Sequence, residues 1–434
     1  MAANMTWGTF VKAKELRQRI VFALGLLIVY RLGTYIPVPG IDGSALRQFM
    51  EQAATGIGGI LNMFTGGAIS RMGIFALGIM PYISASIIIQ LLGSMWEPLK
   101  QLKKEGELGR KKLNQYTRYG TVVLATFQAY ALAASLEAGG LASDPGLFFR
   151  ASTVITLVGG TMFLMWLGEQ ITARGIGNGI SLVIFIGIIA ELPGALAQFF
   201  EQGRIGQINT LVIIGVMMLA VAVIYFVVFM ERAQRRILIQ YPRRQVGAKM
   251  FGGESSHLPL KLNTAGVIPP IFATSLLLLP TTVATFAASG GDTGVLGAVA
   301  ALLGRGQPLF LVIFASLIVF FVFFYTAVVF NPEDVAENLK KHGGFVPGIR
   351  PGKRTAEYLD FVLMRLSTVG AAYLVAVCLL PEVLISQVNV PFYFGGTSLL
   401  IVVSVTMDTI TQVQSHLLAH QYQGLIKKSK IRSR

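Results

Sequence analysis

Few residues in this 434-residue chain have the type and spacing that bond-making chemistry requires. His416 and His420 stand one helical turn apart and could bridge a metal, yet no third ligand lies near them in sequence and no HExxH pattern occurs. They read as interfacial residues. GIRPGKR, residues 348–354, is not a phosphate-binding loop. Three residues separate its glycines instead of four, and Arg354 stands where Ser or Thr must hold magnesium. GIGNG, residues 175–179, lacks the preceding strand that a dinucleotide fingerprint needs. The one cysteine, Cys378, excludes an intramolecular disulfide and a cysteine-ligated metal cluster, and reads as a packing residue. No nucleophile–base–acid set falls in any apolar run. The expectation is therefore a protein without catalytic site, metal or cofactor, whose energy comes from a partner.

The informative residues are polar ones in apolar company. ALGIMPYISASIIIQLL, residues 76–92, is greasy enough for a bilayer, yet Pro81, Ser84, Ser86 and Gln90 interrupt it. Isoleucine recurs in it at Ile79 and Ile83, one helical turn apart. A proline inside a helix frees a carbonyl and bends it. A bent helix with a polar stripe can line a cavity instead of facing lipid.

The elements that must position these residues are membrane spans. Hydrophobic residues make up 53% of the chain and charged ones only 13%, far from the balance of a soluble protein. Ten apolar runs of about 20 residues are expected to span. They cover 19–36, 72–94, 119–137, 151–168, 178–200, 207–230, 264–287, 308–330, 366–386 and 392–417. With the N-terminus inside, thirty of the 36 Lys and Arg fall on one face. The exceptions are Arg31, Arg47, Arg71, Arg150, Arg204 and Arg305. This bias puts both termini, including the tail 418–434, in the cytoplasm. The net charge of +15 then gathers on one face and calls for anionic lipid or an anionic partner. No cleavable signal is expected. Trp7, Phe10 and Val11 among Lys12, Lys14, Arg17 and Arg19 suit an amphipathic helix on an anionic membrane. The spans themselves look nearly bare of charge, with Asp408 the deepest ionisable residue.

The spans also repeat. GIMPYISAS from Gly78 and GVIPPIFAT from Gly266 share G-x-x-P-x-I-x-A-[S/T]. GISLVI (179–184) and GTSLLI (396–401) share G-x-S-L-x-I. Span 2 matches span 7 and span 5 matches span 10. An offset of five inverts the second half, so two halves, 1–200 and 201–434, form an inverted-topology repeat. Ile79, Ile83, Ile180, Ile184, Ile271 and Ile401 would then converge on a cavity between the halves, though ordinary core packing explains isoleucines equally well.

NMFTGGAISRMGIFALGIMPYISASIIIQLL, KKEGELGRKKLNQYTRYGT, MFLMWLGEQITARGIGNGIS, FVPGIRPGKRTAEYLD and PFYFGGTSLLIVVSVTMD resemble the SecY family over nearly the whole chain. This is the family of the central subunit of the bacterial protein-translocation channel, related to the eukaryotic Sec translocon. The resemblance implies an all-α polytopic membrane protein of the bacterial plasma membrane, with ten spans in a clamshell around an hourglass pore. It implies a pore ring of the six isoleucines named above; a narrow apolar collar dewets and offers a passing chain no fixed hydrogen-bond partner. A plug of about 57–71 would close the pore, carried by Ile60, Leu61, Asn62, Met63, Phe64, Thr65, Gly66, Gly67, Ala68 and Ile69. A lateral gate, spans 2 and 3 against 7 and 8, would be lined by Ser84, Ser86, Gln90, Gln128, Thr274 and Ser275, joined by weak interhelical hydrogen bonds. Two basic cytoplasmic loops, 231–262 and 331–365, would dock the ATPase SecA and the ribosome through Arg235, Arg236, Arg243, Arg244, Lys249, Arg350, Lys353 and Arg354. Other implied partners are SecE, SecG, and preprotein and signal-sequence substrates, with no DNA. Two rivals stand beside this reading. An ion-coupled small-molecule transporter would need an ionisable residue near the midplane. An intramembrane enzyme would need a catalytic cluster.

Overall fold

The computed structural model describes residues 13–41, 62, 65–206, 208–241, 244–246, 249–251, 255–277, 307–388 and 396–432. Helices dominate the first half: α1 Lys14–Gly33, α2 Met80–Met95, α3 Glu97–Lys104, α4 Glu107–Ala138, α5 Leu147–Arg174, α6 Gly179–Arg204 and α7 Thr210–Arg232. Four strands follow, β1 Gln234–Gln240, β2 Arg244–Val246, β3 Lys249–Phe251 and β4 Ser255–Lys261. The chain continues through α8 Ile268–Leu277, α9 Pro308–Val329, α10 Pro332–Lys341, α11 Lys353–Val388 and α12 Gly396–Arg432. A helix stands at each of the ten expected spans. Among the described residues seven are long and apolar enough to cross a membrane.

Local chemistry sets the helix starts. Asn178, Asn209 and Asn331 cap α6, α7 and α10 by accepting from the backbone N–H groups of Ile180, Leu211 and Glu333. Pro308 and Pro332 occupy first helical positions, where no N–H is needed. Pro81 is the second residue of α2, still within the first turn, where its missing N–H costs no intrahelical bond. The expected bend at Pro81 is therefore absent: the helix begins there. Residues 65–79 form turns, not the first half of a span, with left-handed backbone at Met72 (φ 42°) and Gly78 (φ 56°).

Packing joins helices through small residues. Thr117, Thr121, Ala125, Ala129 and Ala133 recur every fourth residue along α4 and are all buried, where α4 packs on α2 and α5. One large apolar cluster draws from both halves, including Leu27 of α1, Ile87 of α2, Leu164 of α5, Ile188 of α6, Phe272 of α8, Phe321 of α9, Leu374 of α11 and Leu400 of α12. Cys378 lies buried in it, as a packing residue should. At the end where α6 begins, Gln412 Oε1 of α12 accepts from Gly177 N at 2.8 Å and ties the last helix to the first half.

The two long basic loops hold regular structure that charge alone did not suggest. β1 and β4 pair antiparallel from Gln234↔Lys261 to Gln240↔Ser255, and β2 pairs with β3. The second loop contributes α10 and the start of α11. The loops are clipped together: Gln240 N donates to Phe345 O (2.9 Å) and Phe345 N to Gln240 O (3.0 Å). Ile237, Leu260, Val346, Leu359, Val362 and Leu363 form a shared apolar core beneath the clip.

Candidate functional site

The six candidate isoleucines share one large apolar cluster. Ile79 caps the N-terminus of α2 and Ile83 follows one turn later; Ile180 and Ile184 sit on the first turns of α6, Ile271 on α8 and Ile401 on α12. Ile79, Ile83, Ile184, Ile271 and Ile401 are buried in the main cluster, and Ile180 packs against it half-buried. Four helices from both halves thus deliver aliphatic side chains to one apolar zone. The paired sequence motifs share backbone as well. Gly78 and Gly266 both take left-handed conformations, φ 56° and 63°, just before a helix whose second residue is proline. A short, stiff entry of this kind fixes where the following isoleucine points.

Beside this zone the chain folds back into the bundle. Ile60, Leu61, Met63 and Phe64 lie outside the described residues. From Thr65 to Ala68 the backbone is buried, and Ala68 belongs to the main cluster. Asn62 organises the turn: its carbonyl accepts from Gly67 N at 2.8 Å and its Oδ1 from Ser70 N at 2.9 Å. Tyr30 of α1 donates its hydroxyl to Thr65 O (3.1 Å), and Arg31 Nη1 donates to Gly66 O (2.5 Å). Val38 N to Met72 O (2.8 Å) and Ile74 N to Ile36 O (2.9 Å) pin the exit of the segment. A plain surface loop would have none of this burial.

The expected gate residues lie on α2, α4 and α8. Ser84 is buried on α2, with Ser86 and Gln90 half-buried below it; Gln128 is half-buried on α4. The hydroxyls bond mainly along their own helices: Thr274 Oγ1 to Pro270 O and Ser275 Oγ to Ile271 O, each at 2.8 Å, while Gln90 Nε2 donates to Ser86 Oγ at 3.1 Å. Across the seam Ser275 Oγ on α8 points at Met80 Sδ on α2, 3.7 Å away. Among the described gate residues, the polar contact that joins the two helices is this weak sulfur one. A cavity of about 590 Å³ opens where α2, α4 and α9 diverge, lined among others by Tyr82, Ser86, Gln90, Lys103, Arg110 and Tyr325.

One cluster escaped the sequence reading. Glu191, inside α6, lies 3.2 Å from Arg71 Nη2 and 3.7 Å from Arg31 Nη2. Arg71 stacks over the Tyr35 ring at 4.3 Å, and Arg31 at 5.1 Å. Arg31 and Arg71 were visible as two of six basic residues on the sparse side, and Glu191 as a carboxylate inside an expected span. The 120-residue separation of Arg71 and Glu191 hid their meeting. Asp408, expected to be the deepest charge, is instead exposed and faces Lys261 of β4 at 4.0 Å.

A family model described as SecY matches residues 73–410. The chain belongs to the SecY family. Among its relatives, the protein translocase subunit SecY of Rickettsia conorii is 53% identical over 424 residues, 96% of this chain and 98% of the relative. The protein translocase subunit SecY of Escherichia coli K12 is 54% identical over 422 residues, covering 96% and 95%. A solved protein-conducting channel superposes with a TM-score of 0.68 at 18% identity, over 92% of both chains. Sec61 from a canine ribosome–channel complex superposes with 0.65 at 17% identity, again over 92% of both. These distant structures speak for the fold: an all-α, multi-pass membrane protein. SecY is a family of translocase subunits, not of enzymes.

The basic residues expected to dock partners in this SecY-family chain fall on the clipped loop unit. Arg235 and Arg236 are exposed on β1, while Ile237 and Ile239 turn inward. Arg244 begins β2 and Lys249 begins β3; Arg243 lies outside the described residues. Arg350, Lys353 and Arg354 are exposed at the turn that starts α11. Gly348 and Gly352 flank Arg350 with φ of 81° and 106°, and Arg350 O accepts from Thr355 Oγ1 at 3.0 Å.

Proposed function

We propose that this chain forms a protein-conducting channel that passes unfolded secretory polypeptides across a bacterial plasma membrane and releases transmembrane segments sideways into lipid. The single observation that supports the reading is that isoleucines at the start of α2 and on α6, α8 and α12, from both halves of the sequence, belong to or pack against one apolar cluster. In the channel they act as a collar. With no chain inside, a narrow apolar ring expels water and blocks ions. With a chain inside, it presses on side chains of every type without holding any of them.

The other parts take their roles around that collar. Residues 57–71 serve as the plug, whose described end reaches into the bundle. The seam of α2 and α4 against α8 and α9 is the lateral gate; weak contacts suit a joint that must part for a hydrophobic signal sequence. The halves 1–200 and 201–434 form the two sides of the clamshell. Both termini and the clipped basic loops face the cytoplasm, where SecA and the ribosome dock, with Arg350 as the leading contact. SecE and SecG complete the complex and anionic lipid surrounds it. A ribosome contact finds support in the canine relative, which was solved in a ribosome–channel complex.

The test is reconstitution of the chain with SecE, SecG, SecA and ATP in vesicles. A preprotein should become protected from added protease only when all components and ATP are present. Protection that is independent of this chain, or ATP-driven flux of a small solute with no protected preprotein, overturns the reading.

A further inference from the structure

Two arginines and one glutamate enclose the root of the buried segment. Arg31 comes from the end of α1, Arg71 from just beyond the buried turn and Glu191 from α6. Both guanidinium groups address the same oxygen, Glu191 Oε1. Arg31 also donates to Gly66 O and, through Nη2, to the Tyr35 hydroxyl at 3.2 Å. Arg71 Nη1 is buried without a hydrogen-bond partner, so that cation leans on Glu191 and the face of Tyr35. The three charged side chains keep only 25–33% of their exposure, which strengthens their interaction over a fully solvated pair.

The backbone is shaped to admit them. Gly66 and Gly67 adopt φ of 64° and 79°. A methyl group on residue 67 would collide with Glu191 Oε1 and Arg71 Nη2, and one on residue 66 would press within 3.1 Å of Gly187 Cα on α6. The glycine pair lets the segment lie directly against α6 at the level of the carboxylate. If the segment leaves, Gly66 O departs from Arg31 and Arg71 is drawn away from Glu191. Without the carboxylate, Arg31 and Arg71 would instead repel each other across a few ångströms. Glu191 thus turns a repulsive pair into an attractive trio formed with the segment seated.

We propose that Glu191, clamped between Arg31 and Arg71, is an electrostatic latch that holds the plug root in the closed channel. Arg31 binds the segment's backbone, Arg71 belongs to the segment's exit and Glu191 anchors both to α6. The proposal rests on reading residues 57–71 as the plug, and its test separates the two ideas.

The experiment records resting ion conductance of the full-length chain, in complex with its partner subunits, in planar bilayers without substrate. The variants are Glu191→Gln, Arg71→Gln, the double variant and a deletion of 60–70, each first shown to elute as folded complex on gel filtration. Glu191→Gln should raise open events about fivefold, the upper range for one partly exposed charge pair. Arg71→Gln should do the same, which keeps the test alive should Glu191→Gln not fold. The double variant should be no worse than the stronger single one, because Glu191→Gln already breaks the pair that Arg71→Gln removes. A merely structural contribution would instead add. Additive effects, or single variants at the wild-type level while the deletion opens the channel, overturn the latch and leave the plug standing. A deletion that also stays at the wild-type level overturns the plug reading and the latch with it.

Discussion

Arg350 sits exposed in a turn held by several local restraints. Pro351 restricts the chain on one side, left-handed Gly348 and Gly352 set the turn, and Thr355 holds the Arg350 carbonyl. The guanidinium is presented outward from a fixed base, which suits a contact residue better than a general surface charge. Replacing Arg350 with glutamate should lower SecA-dependent import about tenfold or more, since a reversed charge at a contact turns attraction into repulsion. The same reversal at Lys340, Lys341 or Lys353 should change import less than about threefold, as for ordinary surface charges. Lys341 already has Glu337 at 2.9 Å on its own helix. Import assays on the four single variants decide the point; an Arg350→Glu effect no larger than the lysine reversals removes Arg350 as a contact. Legibility at this scale followed periodicity. Four of the isoleucines, Ile83, Ile184, Ile271 and Ile401, could be found because two short motifs repeat them at fixed offsets. The trio of Arg31, Arg71 and Glu191 could not, because nothing local links residues that tertiary packing brings together.

At the scale of elements, proline and glycine misled where they were read in isolation. Pro81 suggested a bend inside a long span, but the left-handed Gly78 three residues earlier makes a helix start the better solution. The reading of 231–262 as a basic loop counted charges and passed over the alternation in QRRILIQ, where Ile237 and Ile239 go inward and Leu238 outward. That period of two is a strand signal. The seam between α2 and α8 gives this scale its prediction. Met80 and Ser275 face each other across it at 3.7 Å. Cysteines at both positions, joined by a short bis-methanethiosulfonate crosslinker that forms a mixed disulfide with each and releases methanesulfinate, in a Cys378→Ser background, should lock the seam and stop export of precursors with hydrophobic signals. Reversal of the link should restore it. Undiminished export with the link fully formed, measured on the same membranes, would mean that this seam does not part.

At the scale of the whole molecule, the halves are joined by an apolar interior and a few specific ties, such as Gly177 to Gln412. Gly78 and Gly266 share a left-handed backbone two residues before a helix whose second residue is proline, so the repeated motif repeats a local conformation as well. The carboxylate that the ion-coupled rival requires is not offered by Glu191, which two arginines already neutralise. What remains central is that a polypeptide passes through the collar of isoleucines. The direct measurement uses single cysteines at positions 79, 83, 180, 184, 271 and 401 in a Cys378→Ser background. Controls carry cysteine at Met218 or Val221, which are exposed on the outer face of α7. A secretory precursor with one cysteine is stalled in mid-passage by a folded domain at its C-terminal end, then oxidised. Disulfides from the collar positions, and none from α7, are the predicted result. A stalled, protease-protected precursor that crosslinks to α7 as readily as to the collar, or never to the collar, would contradict it.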